Sequence, residues 1–325
     1  MPRAYPRGAC TVFSNRIDSA GERRCADAFL SSMNGYPMAD NKNRIAEKWN
    51  ANADAAASQT RWWQVPKYCA YMNLEICGKP LPSVSQGANK RLRELGPFAR
   101  AVSVGCGRAT KEQALLKNGT VQHFDLYDLS DKRLDTARAR YKEHGLEGRA
   151  TFILGDAFEN TPRDTYDLVH WASSLHHMMD ARAALEWSRE VLKPSGVLMM
   201  NEFTGPTYWQ WGDDMLDCLY RFRAALPAHL RPANPSIRRL TVDQMIARDP
   251  SEAADSEAIL PALKEFFPDA EIKALGGAIF PHALKGVYPK MKAEDDWVFD
   301  MVLTLDAAFR AKGESHNTFA LARKR

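Results

Sequence analysis

Apolar residues in this 325-residue chain recur in two alternating rhythms. Short apolar runs at 98–104, 121–127, 150–154, 166–171 and 197–201 have the length of buried strands. Stretches of helical period separate them, at 111–118, 131–144 and 180–192. Strand and helix alternate at the spacing of consecutive βαβ units. That spacing predicts a doubly wound α/β fold, a mostly parallel Rossmann-like sheet covered by helices on both faces.

Both flanks depart from this rhythm. From 41 to 95 the pattern is helical: Ile45, Trp49 and Ala53 lie four apart, and Trp62, Trp63, Tyr68, Tyr71 and Met72 extend it. Residues 38–97 therefore read as a helical cap ahead of an α/β domain at 98–325. After the fifth strand come a helix at 213–226, a Pro- and Arg-rich stretch at 227–255, and a second helix reaching 267. This connection, 203–267, is far longer than the crossover that adjacent strands need, and its helices have apolar faces. It is expected to pack as a lid, with Tyr208, Trp209 and Trp211 near the opening of a pocket. Strands at 270–275 and 318–322, with a helix at 295–311 between them, complete the chain. Residues 1–37 show no sustained periodicity and carry Arg3, Arg7, Arg16, Arg23 and Arg24. They are expected to be a disordered tail, an upstream start preceding Met38, or a targeting peptide.

Composition narrows the function less than pattern does. A formal charge of +4 is only mildly basic, and no Lys/Arg block is dense enough for a nucleic-acid footprint. No apolar run approaches the roughly 18–20 residues of a membrane helix. Six cysteines (Cys10, Cys25, Cys69, Cys77, Cys106, Cys218) are scattered without CxxC spacing. They read as reduced thiols of a cytoplasmic protein, with no metal site expected.

The first strand ends in Gly105-Cys106-Gly107, a turn that brings backbone close to a ligand because a side chain there would collide with it. Nucleotide folds add an acid at the end of the next strand to take the ribose hydroxyls. Asp128, 21 residues beyond Gly107, stands where that acid belongs. Asp125 is its rival, and a mere helix cap is the blander role for Asp128. The dinucleotide fingerprint wants Gly or Ala where this chain has Thr110, which disfavours a nicotinamide cofactor. The third strand ends Gly155-Asp156-Ala157-Phe158, offering a carboxylate to an adenine amine and a ring to pack on it.

With Val102-Ser103-Val104-Gly105-Cys106-Gly107, Asp128-Leu129-Ser130, Gly155-Asp156-Ala157, Leu175-His176-His177-Met178 and Leu192-Lys193-Pro194-Ser195-Gly196, the chain resembles the class I methyltransferases, in particular the type 11 methyltransferase-domain group. The resemblance implies S-adenosyl-L-methionine as cofactor and an antiparallel last strand. It implies cofactor contacts from Ser103, Gly105, Cys106, Gly107, Asp128, Leu129, Asp156, Ala157, Phe158 and Trp171. Trp63 joins them through the helical cap. The family usually has an acid at the position of Ser103; its absence weakens the expected hold on the methionine amino group and leaves room for a substitute. Arg61-Trp62-Trp63, Asn201-Glu202-Phe203-Thr204-Gly205-Pro206 and Asp249-Pro250-Ser251-Glu252-Ala253 resemble a bacterial subgroup found near polysaccharide genes, without fixing a substrate.

Methyl transfer needs an aligned acceptor and, for a hydroxyl or neutral amine, a proton acceptor. The loop after the fourth strand carries His176 and His177, either of which could act near neutral pH or serve only as a structural hydrogen-bonding pair. Glu202, closing the fifth strand, is the third catalytic candidate. Tyr208, Trp211 and His282 are the substrate-contact candidates, with core packing as the alternative for the aromatics. The expected function is methyl transfer to oxygen or nitrogen of a small-molecule or glycan acceptor. A non-catalytic adenosyl-fold module and a nicotinamide oxidoreductase are the alternatives.

Overall fold

The computed structural model describes residues 38–51 and 60–325. The segment 1–37, expected as a tail, lies outside the described residues. Arg44–Arg325 form a compact unit that contains the whole sheet.

The helical flank divides into α1 (Met38–Ala51), α2 (Pro66–Cys77) and α3 (Gln86–Leu95). Pro66 opens α2 and Gly78, left-handed at φ +70°, ends it. The alternating region follows as β1 (Phe98–Val104), α4 (Thr110–Lys117), β2 (Val121–Asp128), α5 (Asp131–Glu143), β3 (Ala150–Leu154), α6 (Ala157–Asn160), β4 (Tyr166–Ala172), α7 (Ala181–Val191) and β5 (Leu192–Phe203). Then come α8 (Asp213–Ala225), α9 (Val242–Arg248), α10 (Ile259–Phe266), β6 (Glu271–Ala274), α11 (Phe280–Ala283), α12 (Trp297–Ala311) and β7 (Asn317–Arg323).

The strands form one seven-stranded sheet in the order β3-β2-β1-β4-β5-β7-β6. Pairing is parallel from β3 through β5, and β7 runs antiparallel to both β5 and β6. Alternate side chains serve the two faces, as strand geometry dictates. Ala101, Leu168, Val197, Met199 and Phe319 join α2–α5 and α12 in one core. Val102, Val169, Trp171, Leu198 and Met200 join α7 and α10 in the other.

This order positions the site. The chain steps outward from β1 to β3, then returns to lay β4 on the other side of β1. The connections leaving β1 and β4 thus diverge at their carboxyl ends, and such a switch point opens a crevice.

Two elements differ from the sequence expectation. β5 begins at Leu192, immediately after α7 and ahead of the expected 197. Ser195 N–H donates to the Lys324 carbonyl, and Lys324 N–H donates to that of Gly196. The end of β7 thus recruits a segment that reads as a turn. The Pro/Arg-rich stretch contains α9, which Thr241 and Gln244 start with a reciprocal capping box.

Candidate active site

Gly105 and Gly107 follow β1 with φ of +64° and +57°. A Cβ on Gly105 would lie 3.2 Å from the Ser174 Cβ, and one on Gly107 would lie 3.3 Å from an Arg133 Nη1. The left-handed backbone therefore favours glycine at both positions, and the close neighbours add to that preference. The turn is tied to β2 by Asp128: Gly107 N–H donates to Oδ2 at 2.7 Å and Ser130 N–H to Oδ1 at 2.8 Å. Burial pushes the Asp128 carboxyl up, against the pull of those N–H groups and of Arg133. Each oxygen keeps capacity for a second donor. Asp125 is occupied elsewhere, accepting from Arg100 Nη2 at 2.8 Å and from the Tyr166 hydroxyl at 2.7 Å. Of the two rival acids, only Asp128 reaches the turn.

Beneath the turn, Ser103 Oγ donates to Glu112 Oε1 at 3.0 Å, and His170 Nδ1 lies 3.0 Å from the same oxygen. Glu112, from the first turn of α4, brings a buried carboxylate against the serine that replaces the usual acid. Next to it, Lys111 donates to the Ala172 carbonyl at the end of β4. Burial lowers the Lys111 pKa, while Glu112 and Glu202 oppose that shift.

Beyond β3, Asp156 caps α6 by accepting from Phe158 N–H at 2.9 Å. Ala157 is buried, whereas Phe158 is exposed and meets Trp187 edge-on at 5.2 Å. Cys106, beside the turn, has its thiol pushed up by burial, in keeping with a packing role. Trp171, expected among the cofactor contacts, is instead wholly buried in the α7 core, where its Nε1 donates to Ser188 Oγ at 2.9 Å. Its place in β4 turns it to the sheet face opposite Ala101. Trp63 is also placed elsewhere. It is half-exposed, stacks edge-on to Trp62, and among the described residues no hydrogen bond or ring contact joins it to Gly105–Gly107. The aromatic that does cover this end is Trp49 of α1, under the Arg133 guanidinium at 4.0 Å and edge-on to His177 at 5.3 Å.

The loop after β4 is shaped by Glu202. Its Oε1 accepts from Ser174 N–H at 2.8 Å and Leu175 N–H at 3.0 Å, and its Oε2 lies 2.7 Å from His176 Nδ1. Glu202 is buried and fully engaged, so it positions the loop instead of meeting a substrate. Because a carboxylate accepts, His176 carries its proton on Nδ1 and presents Nε2, 3.8 Å from Glu252 Oε1. Burial lowers the His176 pKa, but hydrogen bonding and charge from Glu202, with Glu252 adding to them, raise it above the ordinary value. Burial opposes ionisation of Glu202 too, and His176 with the two backbone N–H groups wins, holding its carboxyl low. Burial, next to His176, drives His177 well below its ordinary value; its Nδ1 faces the Ser251 carbonyl at 3.3 Å. Burial raises the Glu252 carboxyl. His176, His177 and Glu252 have ligand-type atoms within 4.8 Å of one another, the group among the described residues that could hold a metal ion.

The connection 203–267, expected as a lid, reaches this loop through Ser251 and Glu252. Tyr208, expected at the opening, is buried against Met245 and Ala254, its N–H donating to the Ala253 carbonyl at 2.8 Å. Its neighbours Trp209 and Trp211 stack at 5.8 Å, and Trp211 meets His282 at 4.3 Å. These last three line a cavity of about 460 Å³ with residues of α9.

Residues 101–196 match the model of the family described as "Methyltransferase domain". The chain is 29% identical over 147 residues to the ubiquinone/menaquinone biosynthesis C-methyltransferase UbiE of Proteus mirabilis, covering 45% of this chain and 51% of that protein. It is 29% identical over 107 residues to the malonyl-[acyl-carrier protein] O-methyltransferase of Haemophilus ducreyi, 33% of this chain and 42% of that one. The chain thus spans about half or less of these relatives' length. The geranyl diphosphate C-methyltransferase of Streptomyces coelicolor A3(2) superposes with a TM-score of 0.53 at 12% identity, over 89% of this chain and 100% of that one. The fold is that of the class I methyltransferases. Glu112, Lys111, Glu252 and Trp49 stand around this candidate site, and the sequence pattern left them without a role. Glu252 had a signal, since it lies in the Asp249–Ala253 motif.

Proposed function

We propose that the chain is an S-adenosylmethionine-dependent methyltransferase that acts on oxygen or nitrogen of a small-molecule acceptor. The observation that carries this reading is an imidazole, His176, held by a buried carboxylate at the carboxyl end of β4, beside a double-glycine turn. The turn suits an adenosyl ligand: two glycines hold positive φ in it, and Asp128 and Asp156 stand at the ends of the next two strands. Gly105, Gly107, Asp128, Leu129, Asp156, Ala157 and Phe158 would hold the cofactor, with the Ser103–Glu112 pair beneath it. When bound, S-adenosylmethionine supplies a methyl group activated by the sulfonium.

The chain's own residues then orient the acceptor and take its proton. His176 accepts that proton at Nε2, and Glu202 stabilises the resulting imidazolium and fixes its tautomer. Glu202 is a positioning residue. The raised pKa of His176 makes it a stronger base than free imidazole. Glu112 standing against Ser103 supports an enzyme over a non-catalytic module, because it supplies a carboxylate where Ser103 has none. A glycan hydroxyl is one acceptor that such a base fits.

The test is a methyl-transfer screen with labelled S-adenosylmethionine over hydroxyl, amine, carboxylate and quinone acceptors, with His176→Ala beside wild type. Turnover of a hydroxyl or amine that collapses in the variant is the expected result. Absence of S-adenosylhomocysteine binding by calorimetry, or preferential binding of NADH, would overturn the reading.

A further inference from the structure

The cavity between the lid and α11 has a one-sided chemistry. Arg223, Arg238, Arg248 and Lys285 line it, and no lining residue is a carboxylate. Among the described residues none of these four cations has a carboxylate within ion-pair distance; Arg238 and Arg223, for instance, are met by an amide and by carbonyls. Arg223 is buried and pinned, donating through Nη1 to the carbonyls of Ala283 at 2.9 Å and Lys285 at 3.1 Å. It therefore fixes the wall while leaving its charge unneutralised. Trp211 adds a buried Nε1–H that has no acceptor. Each of these five side chains is a donor.

We propose that this cavity binds the acidic group of the methyl acceptor, so that the acceptor is an oxyanion-bearing small molecule whose apolar body lies against Trp209 and Trp211. The inference rests on the methyltransferase reading and names its substrate class. Arginine forks suit phosphate or carboxylate oxygens, and an indole N–H adds a neutral donor. The cavity is also connected to the chemistry. α9, which supplies Arg248, runs directly into the segment that carries Ser251 and Glu252 to His177 and His176. The charge of Arg248 is felt at the Glu252 carboxyl. Within the cavity, burial lowers the Lys285 pKa, and repulsion by Arg248, Arg61 and Arg223 lowers it further. An anion would relieve that repulsion.

Calorimetric titration of the full chain, in the presence of S-adenosylhomocysteine, with inorganic pyrophosphate and separately with malonate tests this. Saturable binding of at least one probe is expected, and the one preferred identifies a phosphate or a carboxylate acceptor. The Arg248→Gln/Lys285→Gln double variant alters two exposed side chains. It should weaken that binding about tenfold or more per cation removed, with S-adenosylhomocysteine affinity unchanged. If neither probe binds wild type, or if the double variant binds as well as wild type, the proposal fails. Loss of S-adenosylhomocysteine binding in wild type would instead defeat the methyltransferase reading, so the two failures are distinct.

Discussion

Replacing Glu202 by Gln keeps the side chain's shape and removes one charge and one acceptor. The amide oxygen can still accept from Ser174 and Leu175 N–H, at the 2.8 and 3.0 Å of the carboxylate. That fixes the amide NH2 toward His176 Nδ1, now 2.7 Å from the carboxylate. An NH2 group needs an acceptor there, so the ring must move its proton to Nε2. The nitrogen facing the acceptor then has no lone pair to offer. The neutral amide also removes most of what raises the His176 pKa, leaving burial to lower it. General-base catalysis contributes about 10²–10⁴ in rate, so kcat should fall within that range, equivalent to about 3–5 kcal/mol of barrier. The lost charge-assisted bond costs about 1.5–3 kcal/mol of stability, which leaves a folded protein. Single-turnover methyl transfer at saturating cofactor measures the first quantity, and calorimetry with S-adenosylhomocysteine serves as control. A folded Glu202→Gln variant whose kcat stays within threefold of wild type would refute the assigned tautomer.

The raised His176 pKa sets a pH dependence: the ring is a base only when neutral, so kcat should rise with pH, with its midpoint above about 6.5, and that rise should be lost in Glu202→Gln. The stability linked to protonated His176 is present below about pH 6.5 and lost as pH rises through the raised value, while that linked to ionised Glu202 is present above about pH 4.3 and lost as pH falls through the depressed one; melting temperature against pH reads both. Asp128→Ala leaves the Gly107 and Ser130 N–H groups unmet, at about 1–3 kcal/mol each, and should weaken S-adenosylhomocysteine binding at least tenfold. Asp125→Ala, which frees Arg100 and Tyr166 instead, should lower the melting temperature and leave that affinity within twofold. Trp171→Ala should cost about 3–5 kcal/mol in denaturant unfolding, and Trp171→Phe, which keeps most of the volume, should leave cofactor affinity unchanged. Dialysis against EDTA should leave turnover unchanged; loss that Zn²⁺ or Mn²⁺ restores would reassign His176, His177 and Glu252 to a metal.

The alternating core was legible because each βαβ unit repeats a period that local sequence records, and the observed α4, α5 and α7 differ from the expected helices by a residue or so at each end. The early start of β5 was not, because its Ser195–Gly196 segment is held by Lys324, more than a hundred residues away. The helix α9 had a local sign in Thr241 and Gln244, but the surrounding Pro and Arg residues masked it.

Around the candidate site, spacing alone singled out the glycine turn and Asp128, and the structure ties the two together. The role of Glu202 was half-readable: its place at the end of β5 pointed to the site, but only the fold shows it engaged by the Ser174 and Leu175 N–H groups. Trp171 and Tyr208 show the opposite failure. Aromatic residues beside a sheet end have the same sequence signature whether they face a ligand or the core. Which face they take depends on pleat and on the helix behind, here α7 and α9. Glu112 was invisible because its partner Ser103 is nine positions away across a turn whose shape the sequence does not specify.

Everything proposed for this protein depends on the crevice between β1 and β4 holding the cofactor and facing His176. A crystal structure of the protein with S-adenosylhomocysteine decides the matter. The ribose should lie on Asp128, the adenine beside Asp156 and Phe158, and the sulfur should point toward the His176 side of the crevice. A ligand bound elsewhere, or one whose sulfur faces away from His176 with no residue of 203–267 nearby, would contradict it.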